Sequence, residues 1–316
     1  MINVVPIIQG IERENMPKEN TFIIPTIQRG FLKKCLETLY KYTPDNFYVF
    51  VIDQTPDGLY QPEYKGVHLW IRPYRNLGFA KAHNTGIMIS QTPYVTLLND
   101  DVEFIDSGWW QGIEDTFAMD EKIVAVNPNS PKEGAWGYGL TNDNKDTWVP
   151  KEGFVRDEDG KSVIPVIDGK PINTPELAKE HYDGLINRHP IWTKDTLCDA
   201  LAMWCTTFTR EGLKKVGLLD ERFYPAGGED YSMMCDIYSR GLRAVGTTKS
   251  WVWHHWGKSK DDISEKDPTN PIFSRPRWNA NEEIWGDEFD VWGHTIGQDG
   301  KRVPLKRLLP KLVDDL

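Results

Sequence analysis

The chain has 316 residues, of which 39% are hydrophobic and 27% are charged, as in an ordinary soluble globular protein. No apolar run approaches the roughly 18 residues that a membrane-spanning helix needs. The formal net charge of -10 argues against a nonspecific nucleic-acid binder, whose surface is normally basic, although a local basic patch is compatible with it.

The N-terminus and the cysteines indicate a location for the protein. Met1–Pro6 contains no basic region before its apolar patch, so we do not expect a signal peptide. The four cysteines lie far apart, without CxxC spacing: Cys35, Cys198, Cys205 and Cys235. This distribution is typical of small buried residues in a reducing compartment, so we expect the protein in the cytoplasm.

Short β-rich runs alternate with helical patterns in the first half of the chain, which is typical of βαβ units on a largely parallel sheet. The predicted strands are Thr21–Pro25, Phe47–Asp53, Val67–Arg72, Tyr94–Leu98 and Ile123–Asn127. The predicted helices are Phe31–Tyr42, Ala80–Ser90 and Ser107–Met119. Since α/β sheets bind ligands at the carboxyl ends of their strands, Asp53 and Asn99–Asp101 mark a candidate binding edge.

From Thr141 to Asp195 the sequence becomes polar and rich in Gly, Pro and Asp. We interpret this stretch as a long insertion with a hairpin around Asp168-Gly169. Loops of this length often act as lids or acceptor-binding elements, and disorder is the alternative. Order is predicted to resume in four segments: Leu197–Phe208, the helices Arg210–Val216 and Gly228–Gly241, and a strand from Ala244 to Trp253.

The stretch YVTLLNDDVEF delivers adjacent carboxyl groups to the end of an apolar strand. Like charges repel, so a positive partner is expected beside Asp100 and Asp101. One interpretation is that Asp101 is a ligand of Mg²⁺ or Mn²⁺, which prefer carboxylate oxygens. The other is that Asp100 is solvated and Asp106-Ser107 caps the next helix.

Two later groups also carry chemistry. In FYPAGGEDYSMM, Glu229 and Asp230 begin a helix, where the helix dipole alone would explain them. A carboxylate held there could also serve as a general base. In WVWHHWGKS, His254 and His255 follow an alternating strand, where a histidine could complete a metal site.

Six motifs, in order, resemble the inverting glycosyltransferases of family 2, near the rhamnosyltransferase-like members. They are FIIPTIQRGFLKKCLETL, VIDQTPDG, RNLGFAKAHNTGI, LLNDDVEF, VGLLDERFYPAGGEDYSMMCDIYSRGLRAVG and HHWGKS. The resemblance implies an α/β GT-A fold, which is Rossmann-like and nucleotide-binding, with a mostly parallel central sheet. It implies a catalytic domain over residues 1–259, with residues 141–195 as a lid or acceptor region, and a C-terminal extension over residues 260–316.

The resemblance also implies a donor site. Its nucleotide-sugar-binding residues would be Pro25, Thr26, Asp53, Arg75, Asn76, Gly78, Lys81, Asn84, Asn99 and Asp100. Asp53 would accept a hydrogen bond from the base, and Lys81 would offset negative charge on the phosphates. Gly78 would allow the backbone to approach the nucleotide closely.

A metal ion and a catalytic base follow from the same resemblance. Asn99–Asp101 matches the family's DxD motif with Asn in place of the first Asp, which leaves Asp101 as the ligand of Mn²⁺ or Mg²⁺. His254 is the first choice for a further ligand, and His255 is the alternative. Asp230 matches the catalytic base, and Glu229 would bind acceptor hydroxyls.

The implied reaction is inverting transfer of a sugar from a nucleoside-diphosphate sugar, with UDP favoured, to a hydroxyl group on a glycan, glycolipid or other macromolecule. A nucleotidyltransferase is one alternative, although Pro25–Gly30 is not a glycine-rich basic loop. A noncatalytic carbohydrate-binding protein would explain the thirteen tryptophans, but it would not need Asp101, Asp230 and His254.

The C-terminal stretch KRVPLKRLLPKLVDDL places five leucines at helical spacing: Leu305, Leu308, Leu309, Leu312 and Leu316. We expect this segment to dock on the catalytic domain or on a second subunit of a homodimer. The alternative is a peripheral contact with the inner face of an anionic membrane, which would bring the enzyme to a lipid-linked acceptor. The acidic net charge makes nucleic acid the least favoured acceptor.

Overall fold

The computed structural model describes residues 3–5, 18–27, 29–55, 64, 66–131, 140–141, 149–150, 153–156, 163–188, 203–223, 226, 228–255, 294–296 and 302–304. The leucines of the last segment and the predicted domain boundary at Ser259 lie outside these residues, so both stay predictions.

The chain contains sixteen described strands and seven described helices. The strands are β1 (Asn3–Val5), β2 (Asn20–Thr26), β3 (Phe47–Asp53), β4 (Leu69–Arg72), β5 (Tyr94–Leu98), β6 (Val102–Phe104), β7 (Ile123–Asn129), β8 (Leu140–Thr141), β9 (Val149–Pro150), β10 (Phe154–Arg156), β11 (Val163–Ile167), β12 (Lys170–Pro171), β13 (Cys205–Thr209), β14 (Arg243–His254), β15 (His294–Ile296) and β16 (Arg302–Pro304). The helices are α1 (Leu32–Tyr42), α2 (Gly78–Ile89), α3 (Trp109–Phe117), α4 (Pro175–Glu180), α5 (Tyr182–Arg188), α6 (Arg210–Val216) and α7 (Glu229–Ser239).

Nine strands form one sheet in the order β1-β4-β3-β2-β5-β13-β7-β14-β6. Strands β4, β3, β2 and β5 are parallel neighbours, and β7 is parallel to β14. Strand β13 is antiparallel to both β5 and β7, so these two flanking strands share a direction. Only β1, β6 and β13 run the other way within this sheet. This confirms the predicted α/β fold with a mostly parallel central sheet.

The alternation of side chains in the central strands explains the layers on the two faces of the sheet. In β2, Phe22 and Ile24 pack with α1 and α3, whereas Ile23 between them packs with α2, α6 and α7. All three side chains are fully buried. Successive strand residues point to opposite faces, so a continuous apolar run is the pattern of a strand that is covered on both sides.

Part of the predicted insertion is a small folded unit. Strands β10, β11 and β12 form an antiparallel sheet, and Asp168 and Gly169 join the last two strands. Both turn residues have positive φ, 50° and 76°, as a type I′ turn requires, so the predicted hairpin is confirmed. Helix α5 packs on β14 through a cluster that includes Tyr182, Leu185 and Trp251. The insertion therefore lies beside the strand that ends at His254.

Two predictions about the chain as a whole can be compared with the described residues. Cys35 and Cys205 are buried, as predicted, while Cys198 and the side chain of Cys235 lie outside the described part. No described helix has both the length and the apolar character that crossing a bilayer requires.

Candidate active site

The carboxyl ends of β2, β3 and β5 bring the predicted acidic residues to one edge of the sheet. Thr26 at the end of β2 pairs in register with Asp53 at the end of β3. The Thr26 hydroxyl donates a 2.6 Å hydrogen bond to Oδ2 of Asp100, which follows β5 by two residues. Asp53 and the Asp100-Asp101 pair therefore lie at the same edge, as the strand directions predicted.

Asp53 is fully buried and is held by donors from two segments. Its Oδ2 accepts from Nη2 and Nε of Arg29 at 2.6 and 3.1 Å, and its Oδ1 accepts from the Thr55 backbone N–H at 3.1 Å. Nη1 of Arg72 lies 3.7 Å from the same Oδ2. A buried carboxylate needs such compensation, since removing a lone charge from water is costly. Sequence reasoning missed Arg29 because it lies 24 residues from Asp53 with no periodic relation to it.

The stretch RNLGFAKAHNTGI begins with a loop that is tied to this edge. The Leu77 N–H donates to the Gln54 side chain at 2.6 Å, directly after Asp53 in the chain. The Gly78 N–H donates to Oδ1 of Asn76 at 2.8 Å, and Gly78 has a φ of 76°, in the left-handed region that favours glycine. Arg75 is exposed beside these residues, so its guanidinium is accessible to an anionic ligand.

Lys81 and Asn84, which the resemblance placed at the nucleotide, contact the loop before α7 in this structure. The Asn84 amide donates to the Leu219 carbonyl at 2.9 Å and accepts from the Leu219 N–H at 3.0 Å. Its Nδ2 also lies 3.2 Å from Oε1 of Glu221, and Lys81 Nζ lies 3.2 Å from Oε2 of the same carboxylate. The nucleotide roles of both residues stay predictions, and their observed contacts join α2 to this loop.

Asp101 is buried next to His254. The carboxyl oxygen Oδ1 lies 3.2 Å from Nε2 of His254, and this oxygen has no hydrogen-bond partner. Burial is the largest single influence on the pKa of Asp101 and would raise it, but the charge and hydrogen-bonding interactions with His254 and the charge interaction with His255 together outweigh it, so the pKa lies below its usual range. An unsatisfied buried carboxylate oxygen facing an imidazole nitrogen fits two ligands that share one divalent cation.

The pairing of β6 with β14 separates the two histidines. Val102 pairs with His254, and the His255 N–H donates to the Asp101 carbonyl at 3.0 Å. The His255 ring instead places Nε2 2.8 Å from Oε1 of Glu103. The geometry therefore brings His254, rather than its neighbour, to the acidic strand end.

The protein supplies only part of a metal site among the residues that the structure describes. Within them, no three His, Cys, Asp or Glu side chains form a group that could hold an ion. Asp100 is bonded to Thr26, so Asp101 and His254 are the two candidates that face each other. Within the described part of the chain, any further ligands would have to come from a bound molecule or from water.

Glu229 and Asp230 begin α7, as predicted. Gly228 before them has a φ of 102°, which permits the turn into the helix. Glu229 is 4% exposed, whereas Asp230 is half-buried. Helix α7 packs on β14, the strand that ends at His254.

One family model matches the chain. Residues 21–162 match the model described as Glycosyl transferase family 2. No curated protein matches the chain significantly.

Three solved structures are similar to the chain at low sequence identity. They are a mannosyltransferase from Pyrobaculum calidifontis in complex with GDP-Man and Mn²⁺ (15% identity, TM-score 0.47), GalNAc-T7 with UDP, GalNAc and Mn²⁺ (16%, 0.49), and S. aureus TarS 1-349 (15%, 0.47). The similarity covers 80%, 75% and 75% of this chain but only 60%, 43% and 60% of those chains. All three TM-scores lie below 0.5, so we draw nothing about function from them.

Proposed function

We propose that this chain is a glycosyltransferase with a GT-A-type α/β sheet, since residues 21–162 match the model described as Glycosyl transferase family 2. It would transfer a sugar from a nucleoside-diphosphate sugar to an acceptor hydroxyl with inversion. The observation that carries the proposal is one sheet edge that holds the buried carboxylates Asp53, Asp100 and Asp101, with His254 facing the last of them.

The donor would bind along this edge. The Asp53 carboxylate is fixed by Arg29 and lies beside the loop that Leu77 and Gly78 anchor. As the family resemblance implies, the base of the donor would be recognised at this end of the edge. Arg75 is exposed next to that loop and can neutralise phosphate charge. We favour a UDP-linked donor, as the family resemblance implies, and the identity of the sugar is a matter for the assay.

Asp101 and His254 would hold a divalent cation, Mn²⁺ or Mg²⁺, together with oxygens of the donor diphosphate. When bound, the cation would offset the charge that develops on the leaving diphosphate. Burial of Asp101 keeps water from competing for its carboxylate, and the antiparallel pairing of β6 with β14 fixes its position relative to His254.

Asp230 would remove the proton from the acceptor hydroxyl. It is half-buried and so more accessible to a substrate than Glu229, which is 4% exposed. Glu229 would then orient the acceptor at the start of the helix. The acceptor would be a saccharide, a lipid-linked glycan or another macromolecule with a free hydroxyl.

The test is a donor assay with purified full-length protein and UDP-, GDP- and dTDP-sugars, with Mn²⁺ or with EDTA. We expect slow donor hydrolysis, or transfer to one class in an acceptor screen, that requires the metal and is abolished by Asp101→Asn. Full activity in EDTA would refute metal dependence. Release of pyrophosphate in a parallel assay with a nucleoside triphosphate and a sugar 1-phosphate, without release of nucleoside diphosphate from the sugar donors, would instead indicate a nucleotidyltransferase.

A further inference from the structure

Trp204 contacts both parts of the candidate metal site, although no motif in the sequence includes it. Its indole ring stacks on the imidazole of His254, with ring centroids 4.9 Å apart and an angle of 14° between the planes. Its backbone carbonyl accepts a 2.8 Å hydrogen bond from the N–H of Asn99, the first residue of the acidic turn. The side chain is 4% exposed, so it cannot serve as an open platform for a sugar.

We propose that Trp204 is a positioning residue for metal binding. It holds the His254 imidazole in the plane in which Nε2 faces Oδ1 of Asp101, while its backbone holds the start of the turn that carries Asp101. This inference rests on the proposed function, because it takes Asp101 and His254 as the residues that bind the cation.

The backbone contacts of His254 do not fix its ring. Its N–H donates to Oγ of Ser130 at 3.1 Å, and its position in β14 is set by pairing with Val102 in β6. The ring can still rotate about the bond that joins it to Cβ, because this torsion is broad in histidine. A parallel aromatic partner restricts that rotation.

Trp204 is itself fixed by the fold. It directly precedes β13, whose first residue Cys205 pairs with Leu98 at the end of β5. Its ring belongs to the buried cluster that includes Cys35 and Val102. The indole therefore cannot move away from His254 without disturbing the sheet next to the acidic turn. This is the arrangement expected of a residue that acts on a metal site through a ligand.

The experiment measures Mn²⁺ affinity directly, by electron paramagnetic resonance of free Mn²⁺ with UDP present, on the full-length protein. Trp204→Met removes the ring while an adaptable side chain fills much of the space. Trp110→Met is the matched control, since Trp110 is 5% exposed and its ring packs on Tyr94 instead. Asp101→Asn serves as the reference for a lost ligand.

We expect Trp204→Met to weaken Mn²⁺ binding about tenfold, which is within the range found when residues that orient metal ligands are replaced. Trp110→Met should bind Mn²⁺ like the wild type, even if both variants melt at lower temperature. UDP affinity measured in EDTA should not change in either variant. Wild-type Mn²⁺ affinity in a folded Trp204→Met, with binding lost in Asp101→Asn, would overturn the inference. Absence of Mn²⁺ binding in the wild type would instead count against the proposed function.

Trp204→Phe decides the matter if the methionine variant does not fold. The smaller ring should weaken Mn²⁺ binding about threefold, as loss of part of an aromatic contact implies. In a His254→Ala background the same change should have no effect, because the ring that it positions is gone. An equal effect of Trp204→Phe in both backgrounds, or no effect in either, would contradict a positioning role.

Discussion

At the scale of single residues, the two carboxylates at the start of α7 differ in exposure. Asp230 is half-buried and Glu229 is 4% exposed, which is why we assign the proton transfer to Asp230. Replacing Asp230 by Asn keeps the shape of the side chain and removes the base. We expect Asp230→Asn to bind donor normally and to lose roughly 10²–10⁴-fold in turnover. Donor affinity by calorimetry and transfer rate would be measured on the same preparation.

The control for this prediction is Glu229→Gln. If Glu229 only orients the acceptor, its variant should raise the acceptor KM more than it lowers kcat. Near-normal turnover in Asp230→Asn together with a large loss in Glu229→Gln would reverse the two assignments.

The two adjacent histidines give a second prediction at this scale. His254 lies 3.2 Å from Asp101, whereas His255 is paired with Glu103. We expect His254→Ala to lose more Mn²⁺ affinity than the roughly 10–100-fold that outer-shell changes cost. His255→Ala should lose far less Mn²⁺ affinity, because the ring that it removes contacts Glu103 rather than Asp101. Equal losses in the two variants, measured by the same spectroscopy, would show that this assignment is wrong.

Among secondary-structure elements, α2 is joined to the loop before α7 by a buried amide. Asn84 makes two reciprocal hydrogen bonds with the Leu219 backbone. Asn84→Ala would leave a buried N–H and a buried carbonyl unsatisfied, at about 1–3 kcal/mol for each group. We therefore expect a clear fall in the free energy of unfolding, measured by urea denaturation.

Lys81→Ala is the matched control on the same helix. It removes an ion pair with Glu221 in which both side chains are well exposed, and such pairs contribute about 0–1 kcal/mol. If Asn84→Ala were no more destabilising than Lys81→Ala, the hydrogen bonds between the Asn84 amide and the loop before α7 would not contribute to stability as we expect.

The predictability of the elements varied with the kind of signal. The bounds of β3 and β5 were predicted correctly because each is an apolar run that ends in polar residues. Strand β6 was not predicted, because it directly follows the acidic turn and its three residues are too few to show an alternating pattern. The direction of β13 was not predictable either, because an antiparallel strand between two parallel ones depends on pairing across the whole chain.

The candidate site was predictable only in part. The ends of the predicted strands indicated Asp53 and Asp101, since polar residues after a buried run are a local signal. The residues that contact this site could not be predicted: Arg29 lies in a loop, and Trp204 precedes a strand far along the chain. Contacts of this kind are set by tertiary packing, which leaves no periodicity in the sequence.

On the scale of the whole molecule, acid should weaken the fold through His83. Burial lowers the pKa of His83 from 6.5 to about 3, although a hydrogen bond to the Phe79 carbonyl opposes the shift. Below pH 6.5, His83 therefore binds a proton in the unfolded chain but stays neutral in the folded protein. Stability from this group is complete above pH 6.5 and is lost progressively as the pH falls toward 3.

We expect His83 alone to remove about 2 kcal/mol from the free energy of unfolding between pH 7 and pH 5, at 1.36 kcal/mol per pKa unit. His83→Gln has no titrating group at this position, so its free energy of unfolding should fall by about 2 kcal/mol less than that of the wild type over the same pH interval. Urea denaturation of both proteins at the two pH values is the measurement. Parallel pH profiles for wild type and variant would refute the prediction.

The place of β13 in the sheet has a consequence for the order in which the protein assembles during synthesis. Strands β2 to β5 are contiguous in the chain and can pair as soon as residue 98 has left the ribosome. Strand β7 follows soon after, yet in the finished sheet it meets β5 only through β13, whose Thr207 bonds to Thr96 across 111 residues. The nascent chain therefore has to hold a half-sheet with an open edge while the insertion is made. The half-sheet of β2 to β5 can be complete before Trp204 and His254 have been synthesised, so the proposed metal binding by Asp101 and His254 should be among the last properties that the growing protein acquires.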